Sequence, residues 1–268
     1  MFYTKVKMMQ KLIVLLVAIS ILSGCGATNS LLEATTSTVF KNSGGVYRIK
    51  AASDGSEGVG ITPEVARIVK EYNANSSTGN NDLDLNNYAL VSSNTLGIIR
   101  KGTFTSGGVA ANVTIIANSS ADDSSGVLWM GIPQNGQAFI LTAGGPLVGT
   151  PSGSFTYTGQ HAAGQRRLNS APEIGSFTIQ ANFNTGRFSY SGATVNTALS
   201  GTGLIDKVNG RLSGEAFTMS TPQGIYGAVI HGNFHGSNAA DVAGVFHTYG
   251  LSFPDADADY AGGFVGSR

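Results

Sequence analysis

Three of the chain's four histidines, His231, His235 and His247, fall in one stretch, "HGNFHGSNAADVAGVFH". Imidazoles this dense are raw material for metal sites and acid–base chemistry, so their spacing matters. On a helix, residues at i and i+4 share a face and His231 and His235 would converge on one ion. The surrounding "GAVIHGNF" and "VAGVFH" read as strands, on which the two rings point the same way but about 13 Å apart, at roughly 3.3 Å per residue. Metal–nitrogen bonds are about 2 Å, so one ion cannot take both. His247 could oppose either across strands, which spacing leaves open. The expectation is histidines on a wet face or loop edge, with no metal site.

Other chemistry-bearing residues are read the same way. In "DADADY", Asp255, Asp257 and Asp259 sit like the first ligands of a calcium loop. Such a loop needs Gly at its sixth position and Glu at its twelfth; here those are Tyr260 and Gly266, so an acidic surface loop is expected instead. Arg166 and Arg167 lie in "QHAAGQRRLNSAPE", expected as a loop of about 14 residues between two strands. Long loops on rigid scaffolds carry recognition, which makes this pair the candidate ligand contact. The chain has no G-x-S-x-G, H-E-x-x-H, P-loop or dinucleotide fingerprint. No catalytic residue and no cofactor are expected.

The single cysteine, Cys25, has a different chemistry. It follows "KLIVLLVAISILSG", in which Lys5, Lys7 and Lys11 precede an apolar run from Leu12 to Leu22. That run is too short for the roughly 20 residues that a spanning helix needs, and it has the flanks of a secretory signal. Leu22-Ser23-Gly24-Cys25 resembles the lipobox of bacterial lipoproteins, whose thiol receives diacylglycerol. The implied anchor is a lipid-modified Cys25 carrying palmitate-type acyl chains, far firmer in a membrane than one myristoyl group. Gly26, rather than Asp, follows it; by resemblance to enterobacterial sorting signals this implies the outer membrane.

Residues 1–24 are thus expected as a signal peptide and 25–45 as a flexible tether. The full chain is neutral, and removing residues 1–24 takes away three lysines and no acid. An acidic remainder argues against a nucleic-acid partner, which would need a basic face.

The elements that must position these residues are mostly strands. Gly 37 against Pro 7, with only 12% charged residues, points to short strands and tight turns. "ITPEVARIVKEY" predicts one short helix, capped by Thr62 with Pro63 at its first position, packed on a sheet. Asn135-Gly136 between two apolar runs predicts a hairpin. A small, mostly β domain is expected over 46–148. Beyond it, Phe177, Ile179, Ala181 and Phe183 alternate with Ser176, Thr178, Gln180 and Asn182, and Asn184-Thr185-Gly186 turns the chain. Asn209-Gly210 marks another turn. Some eight strands over 149–268 predict an antiparallel barrel, with a two-sheet sandwich as the alternative.

"GSFTIQANFNTGRFSYSG", "LSGTGLIDKVNGRLSGEAF", "VIHGNFHGSNAADVAGVF" and the closing "GGFVGSR" resemble the barrel domain of the transferrin-binding protein B family of surface lipoproteins. The resemblance covers roughly residues 150–268 and, more weakly, a preceding handle domain. It implies an all-β lipoprotein with an eight-stranded barrel on the outer membrane, exposed at the cell surface and engaged in binding rather than catalysis. The ligand would be a protein or haem-type molecule, with iron acquisition as the role. Family members that bind transferrin carry two handle–barrel lobes, whereas this chain has room for one. The competing expectation is a structural or interaction lipoprotein, serving adhesion or immune shielding, with no small ligand.

Overall fold

The computed structural model describes residues 40–43, 46–50, 82–84, 88–106, 109–118, 125–132, 137–144, 147–165, 171–248 and 260–268, and every regular element among them is a strand. Strands β1 (Phe40–Ser43), β2 (Val46–Lys50) and β3 (Asp82–Asp84) form a small antiparallel sheet. Strands β4 (Ala89–Asn94), β5 (Gly97–Ser106), β6 (Val109–Ala117), β7 (Gly126–Ile132) and β8 (Gln137–Ala143) form a five-stranded meander. A two-residue strand, β9 (Leu147–Val148), runs parallel to the end of a barrel strand. The helix expected at residues 62–72 and the Asn135-Gly136 turn lie outside the described residues. The β7–β8 hairpin itself is present, with Ile132 opposite Gln137.

The remaining eight strands close on themselves. They are β10 (Ser154–Gln165), β11 (Glu173–Asn182), β12 (Arg187–Ala193), β13 (Ala198–Asp206), β14 (Arg211–Thr221), β15 (Gly224–Ser237), β16 (Asp241–Thr248) and β17 (Tyr260–Ser267). Each pairs antiparallel with its successor, and β17 pairs back onto β10 from Tyr260 opposite Gln165 to Ser267 opposite Thr158. The predicted barrel is the observed one, and the sandwich alternative falls.

An eight-stranded barrel has an interior just wide enough for side chains. This one is filled by rings: Tyr157, Phe177, Phe183, Phe188, Tyr190, Phe217, Phe234, Phe246 and Phe264 all belong to one buried cluster. They fit because glycines stand opposite them. Phe188 faces Gly203, Phe217 faces Gly201, Phe246 faces Gly262 and Phe264 faces Gly244. A Cβ on Gly262 would lie 2.1 Å from the Phe246 ring, and one on Gly244 would lie 2.3 Å from Phe264. The strand glycines are therefore seats for aromatic rings as well as bending points. Where β14 would lose its inward parity, a bulge between Gly214 and Phe217 restores it and leaves Glu215 and Ala216 both outside.

Two turns at one end of the barrel share a local code. In "NFNTGR", Asn182 accepts from the Thr185 backbone N–H and Gly186 adopts φ 67°. In "DKVNGR", Asp206 accepts from the backbone of Val208 and Asn209, and Gly210 adopts φ 69°. An Asx side chain that caps the turn, then Gly in the left-handed region, is what such a loop requires. At the opposite end, Glu173 holds the β12–β13 connection by accepting from Thr194 Oγ1 at 2.6 Å and from the Asn196 backbone at 3.1 Å.

The five-stranded sheet covers one side of the barrel. Ile116, Val127, Trp129, Ala138 and Ile140 pack on Ala162, Ala243, Val245, Ala261 and Val265, which point outward from β10, β16 and β17. Strands β16 and β17 and the far half of β10 are therefore buried on both faces.

That second buried face corrects the loop expected around Arg166. Strand β10 continues through "QHAAGQ" to Gln165, and β11 begins at Glu173, so the connection is residues 166–172 rather than about 14 residues. Residues 160–165 are all buried, half of them against the sheet, so they lack the polar alternation that would have marked a strand.

Candidate functional site

The strand parity of β10 carries Phe155 and Tyr157 inward, and then Gly159, His161 and Ala163. His161 is thus the one histidine inside the barrel. Its ring stacks on Phe246 with centroids 4.9 Å apart, and its Nδ1 is hydrogen-bonded to the Tyr190 hydroxyl at 2.5 Å. Gly192 makes the room, since a Cβ there would lie 2.6 Å from both His161 Nδ1 and the Tyr190 oxygen. His161 Nε2 has no partner among the described residues. Burial lowers the His161 pKa from 6.5 to about 3, and burial raises that of Tyr190. At neutral pH both groups are uncharged and sealed from solvent, a polar pair inside an aromatic core. Sequence reading passed over His161 because its stretch looked like loop; extending the parity from Tyr157 would have placed it.

A second polar cluster lies where the five-stranded sheet meets the barrel. Asp241 opens β16 and stands directly opposite His235 of β15, both pointing away from the interior. Asn118, just past β6, donates from Nδ2 to Asp241 Oδ1 at 2.6 Å. The His235 ring lies so close to Gly144, just past β8, that a Cβ there would be 2.5 Å from it. Asp241 is 2% and His235 6% exposed, which corrects the expectation of a wet face for His235, although it does lie at the edge of the β15–β16 turn. Its face of β15 is dry because the sheet's ends close over it.

The turn between β15 and β16 is pinned around this cluster. Asn238 and Ala239 take φ 52° and 62°, left-handed values that Ala rarely adopts. Tyr157 donates its hydroxyl to Ala239 O at 2.7 Å, and the Asn238 N–H donates to Val148 O of β9 at 2.7 Å. Burial raises the Tyr157 pKa, opposed by the charge of Arg268 and reinforced by that of Asp241.

The other two histidines lie on the outer wall. The direct partner of His231 is Val245, two residues before His247, so these rings are diagonal neighbours on adjacent strands. Diagonal positions are about 7–8 Å apart between backbones, within reach of long side chains. Both are half-buried, and the His247 ring meets the Thr248 carbonyl oxygen at 3.0 Å through Nδ1. His235, four residues along and opposite Asp241, is in the other cluster. The "HGNFHGSNAADVAGVFH" stretch is thus split between two environments. Among the described residues no three His, Cys, Asp or Glu side chains are grouped to hold a metal ion. Cys25, Arg166, Arg167, Asp255, Asp257 and Asp259 lie outside the described residues. The connections that carry the two arginines and the three aspartates, 166–172 and 249–259, leave the barrel at the same end as the 194–197 and 222–223 turns.

No family model and no curated protein matches this chain. Among solved structures, the intact Ap-TbpB, with N and C lobes, is similar at a TM-score of 0.43 and 13% identity, over 70% of this chain and 39% of that one. Two variants of the vaccine antigen transferrin binding protein B from Haemophilus parasuis Hp5 are similar at TM-scores of 0.43 and 0.44, with 16% and 12% identity. They cover 63% and 71% of this chain and 36% and 39% of theirs. This chain therefore spans less than two fifths of the length of those structures.

Proposed function

We propose that this chain is a lipid-anchored protein of the outer membrane, displayed at the cell surface, that works by binding a protein or haem-type ligand and catalyses no reaction. The observation that carries the binding reading is the filled barrel. Its interior is occupied by the protein's own rings, so recognition falls to the outer wall and the connections. Arg166 and Arg167 stand in one of the two longer connections at a single end of the barrel, and Val195, 90% exposed, and Ile225, 74% exposed, stand near that end. Exposed apolar side chains at one end of a rigid barrel are what a protein ligand's surface would meet.

The anchor reading rests on "LSGC" and the apolar run before it. Metabolic labelling with a palmitate analogue tests it: the wild-type chain takes up label, whereas Cys25→Ala does not, and a labelled variant removes the anchor. Protease treatment of intact cells should digest the barrel if it faces outward. Calorimetric titration of the purified chain against haem and iron-carrier proteins tests the ligand. Silence across that panel removes the iron role and leaves the adhesive or shielding reading, for which the Ser/Thr-rich outer wall of β11–β13 speaks.

A further inference from the structure

The outer wall of the barrel is not uniform. Near the turn that joins β11 to β12 it holds a shallow depression of about 390 Å³, within the usual ~300–1,000 Å³ of small-ligand sites. Its polar lining comes from three strands: Ser154 and Thr156 of β10, Gln180 and Asn182 of β11, and Arg187 and Ser189 of β12. The register sets these in two rows. Ser154 faces Asn182, which faces Arg187; Thr156 faces Gln180, which faces Ser189. Neighbours within a row are about 5 Å apart, and the rows are separated by two residues of strand, roughly 6.6 Å.

These groups are uncommitted, unlike most polar side chains around them. Glu173, Asn196, Asp206 and Asn209 are spent on local turns. In the depression, Asn182 uses only its oxygen, on the Thr185 backbone. No hydrogen bond or ion pair to a described residue engages the side chains of Ser154, Thr156, Gln180, Arg187 or Ser189. A guanidinium, two carboxamides and three hydroxyls therefore converge on one concavity with free donors and acceptors.

The ligand that matches is rigid, rich in hydroxyls and carries a single planar anion. An apolar ligand would strip water from six polar groups without replacing their hydrogen bonds. A phosphate would be served by more than one cation or by a nest of backbone N–H groups, and neither is present in this lining. A carboxylate takes the fork of one guanidinium in two parallel bonds. We propose that this depression binds a carboxylate-bearing saccharide, with Arg187 holding the carboxylate and Gln180, Asn182, Ser154, Thr156 and Ser189 holding ring hydroxyls. The site uses only the barrel wall, so it stands or falls separately from the lipid anchor and from the ligand of the loop end.

Isothermal titration of the purified full chain with tetragalacturonate, and in parallel with maltotetraose, tests the assignment. Tetragalacturonate binds and maltotetraose does so much more weakly. Arg187→Ala weakens tetragalacturonate binding by roughly tenfold or more, and Gln180→Ala by about threefold to fivefold. Both side chains are exposed, so both variants keep the wild-type melting temperature, which is measured alongside. The proposal is overturned by absence of binding, by equal binding of maltotetraose, by indifference to Arg187→Ala, or by acetate competing as well as the oligosaccharide does.

Discussion

Strands β11 and β16 belong to one barrel and obey one parity rule, yet they read differently. In β11, Phe177, Ile179 and Ala181 face the interior, while Ser176, Thr178 and Gln180 face solvent. In β16, Val242 and Phe246 face the interior, and the outward residues Ala243 and Val245 are as dry as the inward ones. The difference is what lies outside. Over β16, β17 and the far half of β10 sits the five-stranded sheet, whereas over β11 to β14 sits water. In an antiparallel barrel, period-two alternation reports one wet face, and its loss reports a covering layer. That contrast can be attacked directly.

The largest effect should come from charging the covered face. Ala162→Asp puts a carboxylate between barrel and sheet opposite only Ile174 and Gly263, at an expected cost of about 4–5 kcal/mol, since an uncompensated buried charge is among the most damaging changes known. Ser200→Asp, with the same outward parity on β13, should stay within about 0.5 kcal/mol. Urea denaturation of the two variants measures both. Similar midpoints would mean that the sheet does not lie on the barrel.

Removing a ring from the interior comes next. Phe264 is fully buried, 5.3 Å from the Phe177 ring and 5.0 Å from that of Tyr190. Phe264→Ala should cost about 3–4 kcal/mol, transfer energy plus the cavity left among stiff aromatics. The cleanest ring and seat are Phe217 and the facing Gly201, where the three atoms nearest a new Cβ all belong to that ring, at 2.7–2.9 Å. Gly201→Ala alone should therefore be strongly destabilising, whereas in a Phe217→Ala background it should recover part of the loss. Strictly additive losses in the double-variant cycle would show that the glycine is not the ring's seat.

Acid should distinguish His161 from a solvated imidazole. Its folded pKa, about 3, lies below the unfolded 6.5, so the unfolded chain binds more protons between those values. Stability is therefore fully present above about pH 6.5 and falls as pH drops below it, by roughly 1.4 kcal/mol per unit, or about 2 kcal/mol at pH 5. His161→Phe should flatten that part of the profile. An unchanged slope in the variant would move the acid sensitivity elsewhere.

The same contrast explains how far the sequence could be read. Strands β11 to β14 were legible because they alternate and because Asn184-Thr185-Gly186 and Asn209-Gly210 carry turn chemistry. The far half of β10 was not, since residues 160–165 are buried on both sides and show no period. His161 was lost with it. Contact between the sheet and the barrel was also illegible: Asn118 and Asp241 meet across 123 residues, and nothing local in either marks the other. The β15–β16 turn shows the same limit at short range. Ala239 holds a left-handed conformation that its residue type opposes, sustained by the Tyr157 hydroxyl on its carbonyl and the neighbouring β9 contact. Only the assembled fold supplies those partners.

The smallest expected effects set the two coded turns against each other, again covered against open. Gly186 and Gly210 have nearly the same positive φ, and an Ala at either position bears about 1 kcal/mol of left-handed strain. At Gly186 a new Cβ would meet only the Ile205 carbonyl, at 3.2 Å. At Gly210 it would also lie 2.7 Å from the Leu147 side chain, which β9 lays over that end of the barrel. Gly186→Ala should thus cost about 1 kcal/mol and Gly210→Ala measurably more, with Leu147→Ala erasing the difference. If the two glycine variants melt together, β9 does not cap that turn, and the covered side of the barrel ends at the five-stranded sheet.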